Sequence, residues 1–295
     1  MELRAAVARP MLVRPVWARG GALETFRWSR AAGHPLVAVH GYLDHGRSWD
    51  GFVPALGGMF ELVSFSARGH GRSDHADAYQ WADFVADLVT VLGSFPDRPV
   101  DVIAHSWGAH LAMDAALLAP GLIRRLVNVD GLEADHPPAA TPDLLERIRR
   151  SADRPLPPTR DGFSSLAELT TRRQELTPRV PPEVVASFVR HGSRVMDGRW
   201  HWSLDPILVS GTMPWDARKR RPLDLAEAIA AVTIDILLIT GGVEESRHLT
   251  PRRELAWQAA TRHDHVRHVH VADAGHYVHL ERPDVVAAAV RNFLR

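Results

Sequence analysis

Cysteine is missing from this 295-residue chain, which removes disulfides, thiolate nucleophiles and cysteine metal sites while leaving the compartment open. Lysine is almost missing too: Lys219 stands alone, and arginine carries the rest of the positive charge. Net charge is absent, with 35 basic residues against 35 acidic ones, so no long-range field points to nucleic acid or to an anionic membrane as a partner. No apolar run approaches the length needed to cross a bilayer. Arg4, Arg9 and Arg14 interrupt the apolar residues near the start, so no secretory leader is read and the expectation is a cytoplasmic protein. The length suits one or two domains of roughly 100 to 200 residues each, and nothing in it sets an oligomeric state.

What is present centres on Ala104-His105-Ser106-Trp107-Gly108. The apolar run Val100 to Ile103 delivers Ser106 onto a turn flanked by small residues, the shape of a nucleophile elbow that lifts a hydroxyl clear of a sheet. Ala104 stands where glycine is usual. Upstream, Pro35 to Val39 reads as a buried parallel strand running into His40-Gly41-Tyr42. Acyl transfer builds negative charge on a carbonyl oxygen, and preset backbone N–H groups stabilise it. The N–H groups of Tyr42 and Trp107 are the candidates for that oxyanion hole. Downstream, the strand-like Val266 to Val271 leads to Ala274-Gly275-His276, which places His276 as general base. Serine first and histidine last is the chain order of an α/β-hydrolase rather than of chymotrypsin-like or subtilisin-like enzymes.

Over nearly its whole length the chain resembles the α/β-hydrolase superfamily. The resemblance rests on His40-Gly41-Tyr42-Leu43-Asp44 with Trp49 beyond it, Arg68-Gly69-His70-Gly71-Arg72-Ser73-Asp74, the Ser106 elbow and Gly275-His276, in that order. Within the superfamily it is most similar to the serine hydrolase-like group, through Gly-Tyr-Leu-Asp after His40, Val129-Asp130-Gly131-Leu132, and Asp197-Gly198-Arg199-Trp200-His201-Trp202 leading to Asp205-Pro206.

The organisation of the chain predicts an α/β fold, a mostly parallel sheet flanked by helices. Met11 to Ala18 and Leu23 to Trp28 read as an antiparallel hairpin around Arg19-Gly20-Gly21. Strands follow at Leu36 to Val39, Glu61 to Ser66, Val100 to Ala104, Arg124 to Val129, Ile234 to Ile239 and Val266 to Val271. Helices are expected at Trp81 to Leu92, Gly108 to Leu118, Arg252 to Arg262 and Pro283 to Leu294. Between Asp130 and Ile234 this alternation fails in a proline-rich stretch with amphipathic pieces at Pro142 to Arg150, Leu166 to Leu176 and Pro182 to Arg190. It is too long for a structureless loop. The expectation is a mainly helical cap at residues 135–222, inserted after the sixth strand, with residues 1–134 and 223–295 forming the core domain. Trp200, Trp202 and Trp215 fall in the cap; Trp200 and Trp202 are candidate substrate-binding residues, although large aromatics also fill cores.

The third catalytic group stays open at this level. A carboxylate must hold the imidazole of His276 in the right tautomer. Asp130 ends the sixth strand, where one branch of the superfamily keeps its acid; Glu244 and Glu245 follow the seventh, the commoner position, but the alignment from Leu249-Thr250-Pro251 puts Arg247 on that spot. Asp130 is the preferred candidate, with Glu244 or Glu245 as alternatives. His263, His265, His268 and His270 superficially suggest a metal cluster, yet their strand spacing and the lack of a completing carboxylate pattern argue against one. No cofactor is needed. A serine in the elbow with a histidine base points to acyl transfer and excludes the alkyl-enzyme route that an aspartate would allow. The resulting expectation is ester hydrolysis of a small or medium, partly apolar substrate. Amidase, thioesterase, C–C bond hydrolase and acyltransferase activities use similar parts, and a ligand-binding protein on the same scaffold is the rival outside enzymes.

Overall fold

In the computed structural model, the described residues are 7–28, 35–76, 79–131, 162–209, 225–243 and 257–295. Their centre is an eight-stranded sheet. In chain order its strands are β1 (Met11–Leu12), β4 (Thr25–Trp28), β5 (Pro35–Val39), β6 (Glu61–Phe65), β7 (Val100–His105), β8 (Ile123–Val129), β11 (Asp235–Gly241) and β12 (Val266–Val271), and in space they run β1-β4-β6-β5-β7-β8-β11-β12. From β6 to β12 every pairing is parallel; β4 is antiparallel to both of its neighbours.

Side-chain alternation explains why the sheet is buried on both faces. Successive residues of a strand point to opposite sides, and β5 divides accordingly: Val37 and Val39 join the apolar cluster on one face, Leu36 and Ala38 that on the other. Helices α1 (Trp81–Gly93) and α2 (Trp107–Leu118) cover the first face. The C-terminal helix α8 (Pro283–Leu294) covers the second through Val286, Val290 and Phe293. Proline at its first position, where no intrahelical N–H bond is lost, and apolar residues at helical spacing account for this helix.

The edge differs from the expected hairpin. Met11–Leu12 pairs with β4 in the main sheet, while β2 (Val16–Ala18) and β3 (Gly21–Leu23) pair with each other in a separate ribbon. The Arg19-Gly20 turn does close a hairpin, but the strand splits before it reaches β4. Pairing with β4 satisfies the edge of a sheet that already has a buried face, which a free two-stranded ribbon does not offer.

Between β8 and β11 lies the described segment 162–209, part of the stretch expected to form a cap. It comprises α3 (Leu166–Leu176), α4 (Pro182–His191), a hairpin of β9 (Ser193–Met196) and β10 (Arg199–Trp202), and the short α5 (Pro206–Val209). The hairpin turns at Asp197-Gly198, both with left-handed φ (51° and 74°), the geometry of a type I′ turn. Val184, Val185 and Phe188 of α4 belong to the same apolar cluster as Trp49, Phe52 and Leu280 of the core. The expected piece at Pro142 to Arg150 and Trp215 lie outside the described residues, as does the start of the expected helix at Arg252; its 257–260 part is helical. Two further short helices, α6 (Leu225–Ala231) and α7 (Val278–Glu281), complete the core. Among the described residues no helix is long and apolar enough to cross a membrane.

Candidate active site

Four loops meet at the carboxyl ends of β5, β7, β8 and β12, the edge at which open parallel sheets bind ligands. The β7–α2 junction carries Ser106. Its backbone is strained, with φ 51° and ψ −123° on a residue that has a Cβ. Such outliers persist only where the surroundings enforce them. Here Ser106 N–H donates to Val129 O (2.9 Å), and the Ser106 carbonyl accepts from Ala109 N–H (2.9 Å). Helix α2 also presses against β5 at Gly108, where a Cβ would stand 2.5 Å from His40 O and 2.8 Å from Val39 O. Glycine at that point is a spatial requirement. Ala104, on the other side of the elbow, is fully buried inside β7.

Trp107 is the first residue of α2, so its N–H is one of the amides that a helix start leaves without an intrahelical partner. Its ring is wedged by Phe84 (4.9 Å between centroids), Tyr42 (5.8 Å) and His70 (5.8 Å). Facing it, Gly41-Tyr42-Leu43-Asp44 forms a tight turn closed by Asp44 N–H on Gly41 O (3.1 Å), with Leu43 left-handed at φ 63°. Tyr42 is tied to α5, its hydroxyl donating to Leu208 O (2.5 Å). His40 accepts from Ala67 N–H at Nε2 (2.9 Å) and donates from Nδ1 to Gly41 O (2.7 Å). Burial, and then the neighbouring His70, push its pKa down to about 3, so it is a neutral brace beneath this turn.

His276 lies on the loop after β12. Its flanking amides are clasped by one carboxylate: Gly275 N–H and Tyr277 N–H both donate to Glu281 of α7, at 2.6 and 3.3 Å. His276 Nδ1 lies 2.7 Å from Asp130 Oδ2. Asp130 follows β8 with φ 53°, its N–H donates to Ile239 O (2.7 Å), and its Oδ1 accepts from Gly241 N–H (3.0 Å). The residue is thus anchored on the neighbouring strand β11, whose Gly241 amide orients the carboxylate. Its side chain is 1% exposed against 19% for His276, so the acid is sealed while the imidazole reaches the cleft.

Glu244 and Glu245, the alternative acids, lie outside the described residues. Trp200 and Trp202 stand on β10, half-buried against the apolar cluster, and Trp202 meets Phe188 edge-on at 6.3 Å. A small recess with room for about one water lies between α3, α4 and the base loop, walled by Val180, Val184, Val185, Phe188 and Leu280, with Arg173, Thr177 and Tyr277 as its polar groups. His268 and His270 share Thr240 Oγ1 (2.8 and 3.1 Å) on the far strand of the sheet, and among the described residues no three His, Asp or Glu side chains are grouped to hold a metal ion.

Several residues around this site escaped sequence reasoning: Asp44, His105, Arg173 and Tyr277, joined in one buried cluster, and Glu281. Asp44 and His105 lie inside motifs recognised above, but nothing local tells that they touch. Arg173 and Asp44 meet across 129 residues of chain, and Tyr277 and Asp44 across 233.

The alpha/beta hydrolase fold family matches residues 34–283, and the chain belongs to it. It is a hydrolase of that family, as its relatives are. Over 266 residues it is 26% identical to 2-(acetamidomethylene)succinate hydrolase of Mesorhizobium japonicum, covering 90% of this chain and 89% of the relative. It is 26% identical over 262 residues to the esterase YbfF of Escherichia coli, covering 88% and 92% respectively. Among solved structures, the thioesterase domain from the curacin biosynthetic pathway superposes with a TM-score of 0.82 at 20% identity, over 96% of this chain and 99% of that one; a likeness at that identity concerns the fold.

Proposed function

We propose that the protein cleaves an ester-like bond of a small or medium, partly apolar substrate through an acyl-enzyme on Ser106. The observation that carries this reading is the 2.7 Å contact between His276 Nδ1 and Asp130 Oδ2. Nδ1–H donated to a carboxylate leaves Nε2 as the basic nitrogen, the tautomer that general-base catalysis requires.

In this mechanism His276 Nε2 takes the Ser106 hydroxyl proton as Oγ attacks the substrate carbonyl carbon. The N–H groups of Tyr42 and Trp107 receive the developing oxyanion, and the fixed ring of Trp107 supports a donor that is already in place before reaction. As the carbonyl re-forms, the bond to the leaving group breaks and that group departs with the proton from His276. A water then gives its proton to Nε2 and attacks the acyl carbon, which releases the acid and restores Ser106. Asp130 stabilises the imidazolium formed at each stage without taking its proton.

Residues 135–222 act in this reading as a cap over the core formed by 1–134 and 223–295. The half-buried rings of Trp200 and Trp202 beside the apolar cluster, Trp202 against Phe188, support a partly apolar substrate. The relatives' names span esters, thioesters and an acetamido compound, so the bond type is set by experiment. A fluorophosphonate probe followed by peptide mapping should label Ser106, and the label should vanish in Ser106→Ala. Wild type should then turn over p-nitrophenyl esters of graded chain length, with amides and thioesters run beside them. An inert Ser106 in the folded protein would overturn the reading and favour a ligand-binding role for the scaffold.

A further inference from the structure

The fold contains a second carboxylate–imidazole pair. Asp44 and His105 are both buried, with His105 Nδ1 3.6 Å from Asp44 Oδ2 and side-chain exposures of 1% and 2%. The other nitrogen of His105 lies 3.0 Å from the carbonyl oxygen of His276. A carbonyl only accepts, so Nε2 carries the proton and donates it. His105 immediately precedes Ser106, Asp44 closes the oxyanion turn, and His276 is the candidate base. One ring therefore joins three of the four loops of the site.

We propose that His105 is a positioning residue that fixes the His276 main chain relative to Ser106 through its Nε2–H, with Asp44 packed beside the ring and itself held by Arg173 and Tyr277. The inference rests on the acyl-enzyme reading above. Its geometry is specific. Asp44 Oδ1 accepts from Tyr277 Oη (3.0 Å) and from Arg173 Nη2 (3.3 Å), and Arg173 Nη2 also donates to Tyr277 Oη (2.6 Å). The guanidinium lies 4.3 Å from the Phe188 ring centroid and 5.1 Å from that of Tyr277, which keeps this cation against aromatic faces. Gly41 leaves room for the pair: a Cβ there would stand 2.8 Å from His105 Nδ1 and 3.0 Å from Asp44 Oδ2. The His105 ring also stacks obliquely on those of His276 (4.7 Å), Tyr277 (4.9 Å) and His279 (4.6 Å). Burial disfavours the charge on Asp44, but its polar surroundings, the Arg173 cation among them, outweigh it and hold the carboxyl below its usual range. Asp44 thus sits beside the ring as an ion and takes no part in proton exchange with substrate.

A residue that merely fills space and one that donates a hydrogen bond respond differently to substitution. His105→Ala, His105→Phe and His105→Gln are compared by hydrolysis of p-nitrophenyl butyrate, each normalised to the Ser106 sites titrated by a fluorophosphonate. His105→Ala should lower kcat by about 10- to 100-fold with KM within about threefold, the scale expected when a reacting group is displaced by a fraction of an ångström. His105→Gln, whose amide N–H can reach the His276 carbonyl, should recover most of that loss, whereas His105→Phe should not. Asp44→Asn, which keeps the size of the side chain, should lower kcat about 10-fold and leave KM in place. Activity of His105→Ala within twofold of wild type, recovery by Phe equal to recovery by Gln, a loss confined to KM, or an unchanged kcat in Asp44→Asn would each overturn the inference. A wild type that is not labelled at Ser106 overturns the acyl-enzyme reading and this inference with it, whereas a labelled wild type with an indifferent His105 overturns this inference alone.

Discussion

Asp130 with His276 and Asp44 with His105 use the same chemical groups at the same edge of the sheet in different surroundings. The first pair is joined at 2.7 Å, and its imidazole is 19% exposed. The second is separated by 3.6 Å, wholly enclosed, and its imidazole spends its donor on a main-chain carbonyl. Asp130 is oriented by the backbone of β11, its carboxylate accepting from Gly241 N–H. Asp44 is held instead by Tyr277 and by Arg173 from α3. The contrast shows that a carboxylate beside a histidine does not define a proton-transfer pair. Access of the second ring nitrogen to the cleft separates a group that can exchange protons with substrate from one that can only hold a loop.

The largest effects should fall on the exposed pair and its nucleophile. Ser106→Ala and His276→Ala are each expected to lower kcat on the order of 10⁴-fold or more while the far-UV circular dichroism stays that of wild type, because members of a triad act as a unit. Either folded variant keeping a large share of the activity would break the comparison at its root. Asp130→Asn should come next, at roughly 10³- to 10⁴-fold, since an amide in place of the carboxylate favours the wrong tautomer of His276. The about 10-fold loss expected for Asp44→Asn would then place the two carboxylates at least a hundredfold apart. Equal losses at Asp44 and Asp130 would mean that the pairs are not distinguished by access.

A smaller effect, on stability, comes from the enclosed histidines. Burial lowers the pKa of His40 to about 3 and those of His45 and His70 to about 4. Their folded pKa values lie below the unfolded value of 6.5, so the unfolded chain binds more protons between those limits. The stability they contribute is present above pH 6.5 and is lost as pH falls towards 4. At pH 5 each should contribute a loss of about 2 kcal/mol, which for three groups rivals the whole stability of an ordinary domain. Urea midpoints measured from pH 7.5 down to 5 should fall steeply, and a flat profile would show that these rings are not buried as neutral groups. The smallest effects are expected at Glu244→Gln and Glu245→Gln, within about twofold in kcat under the Asp130 assignment; a loss of orders of magnitude at either would move the acid to the loop after β11.

How much of this was legible depends on the range of the interaction. The runs Leu36–Val39, Val100–Ala104 and Ile234–Ile239 read as strands because a sheet covered on both faces demands near-continuous apolar residues, and β5, β7 and β11 lie there within one or two residues at each end. The Ser106 elbow and the His276 loop were readable because their geometry is set by neighbours within a few residues. The β9–β10 hairpin was written in Asp197-Gly198, a strong local turn signal, but its flanks alternate weakly and the cap was read as mainly helical. The split of the N-terminal hairpin was not legible, because β1 chooses a partner across the ribbon rather than along it. Nor was the Asp44–Arg173–Tyr277 cluster. Its members come together where α3 meets the loops after β5 and β12, and no spacing in the chain encodes that contact.

The central claim is that Ser106 becomes acylated with His276 and Asp130 serving it. Its most direct test is acid quenching of wild type and Asp130→Asn within the first turnovers of p-nitrophenyl butyrate, followed by peptide mass mapping. The account predicts one butyryl group on Ser106 in wild type, formed far more slowly in Asp130→Asn. Turnover without any acyl group on Ser106, or acylation at the same rate in both proteins, would contradict it.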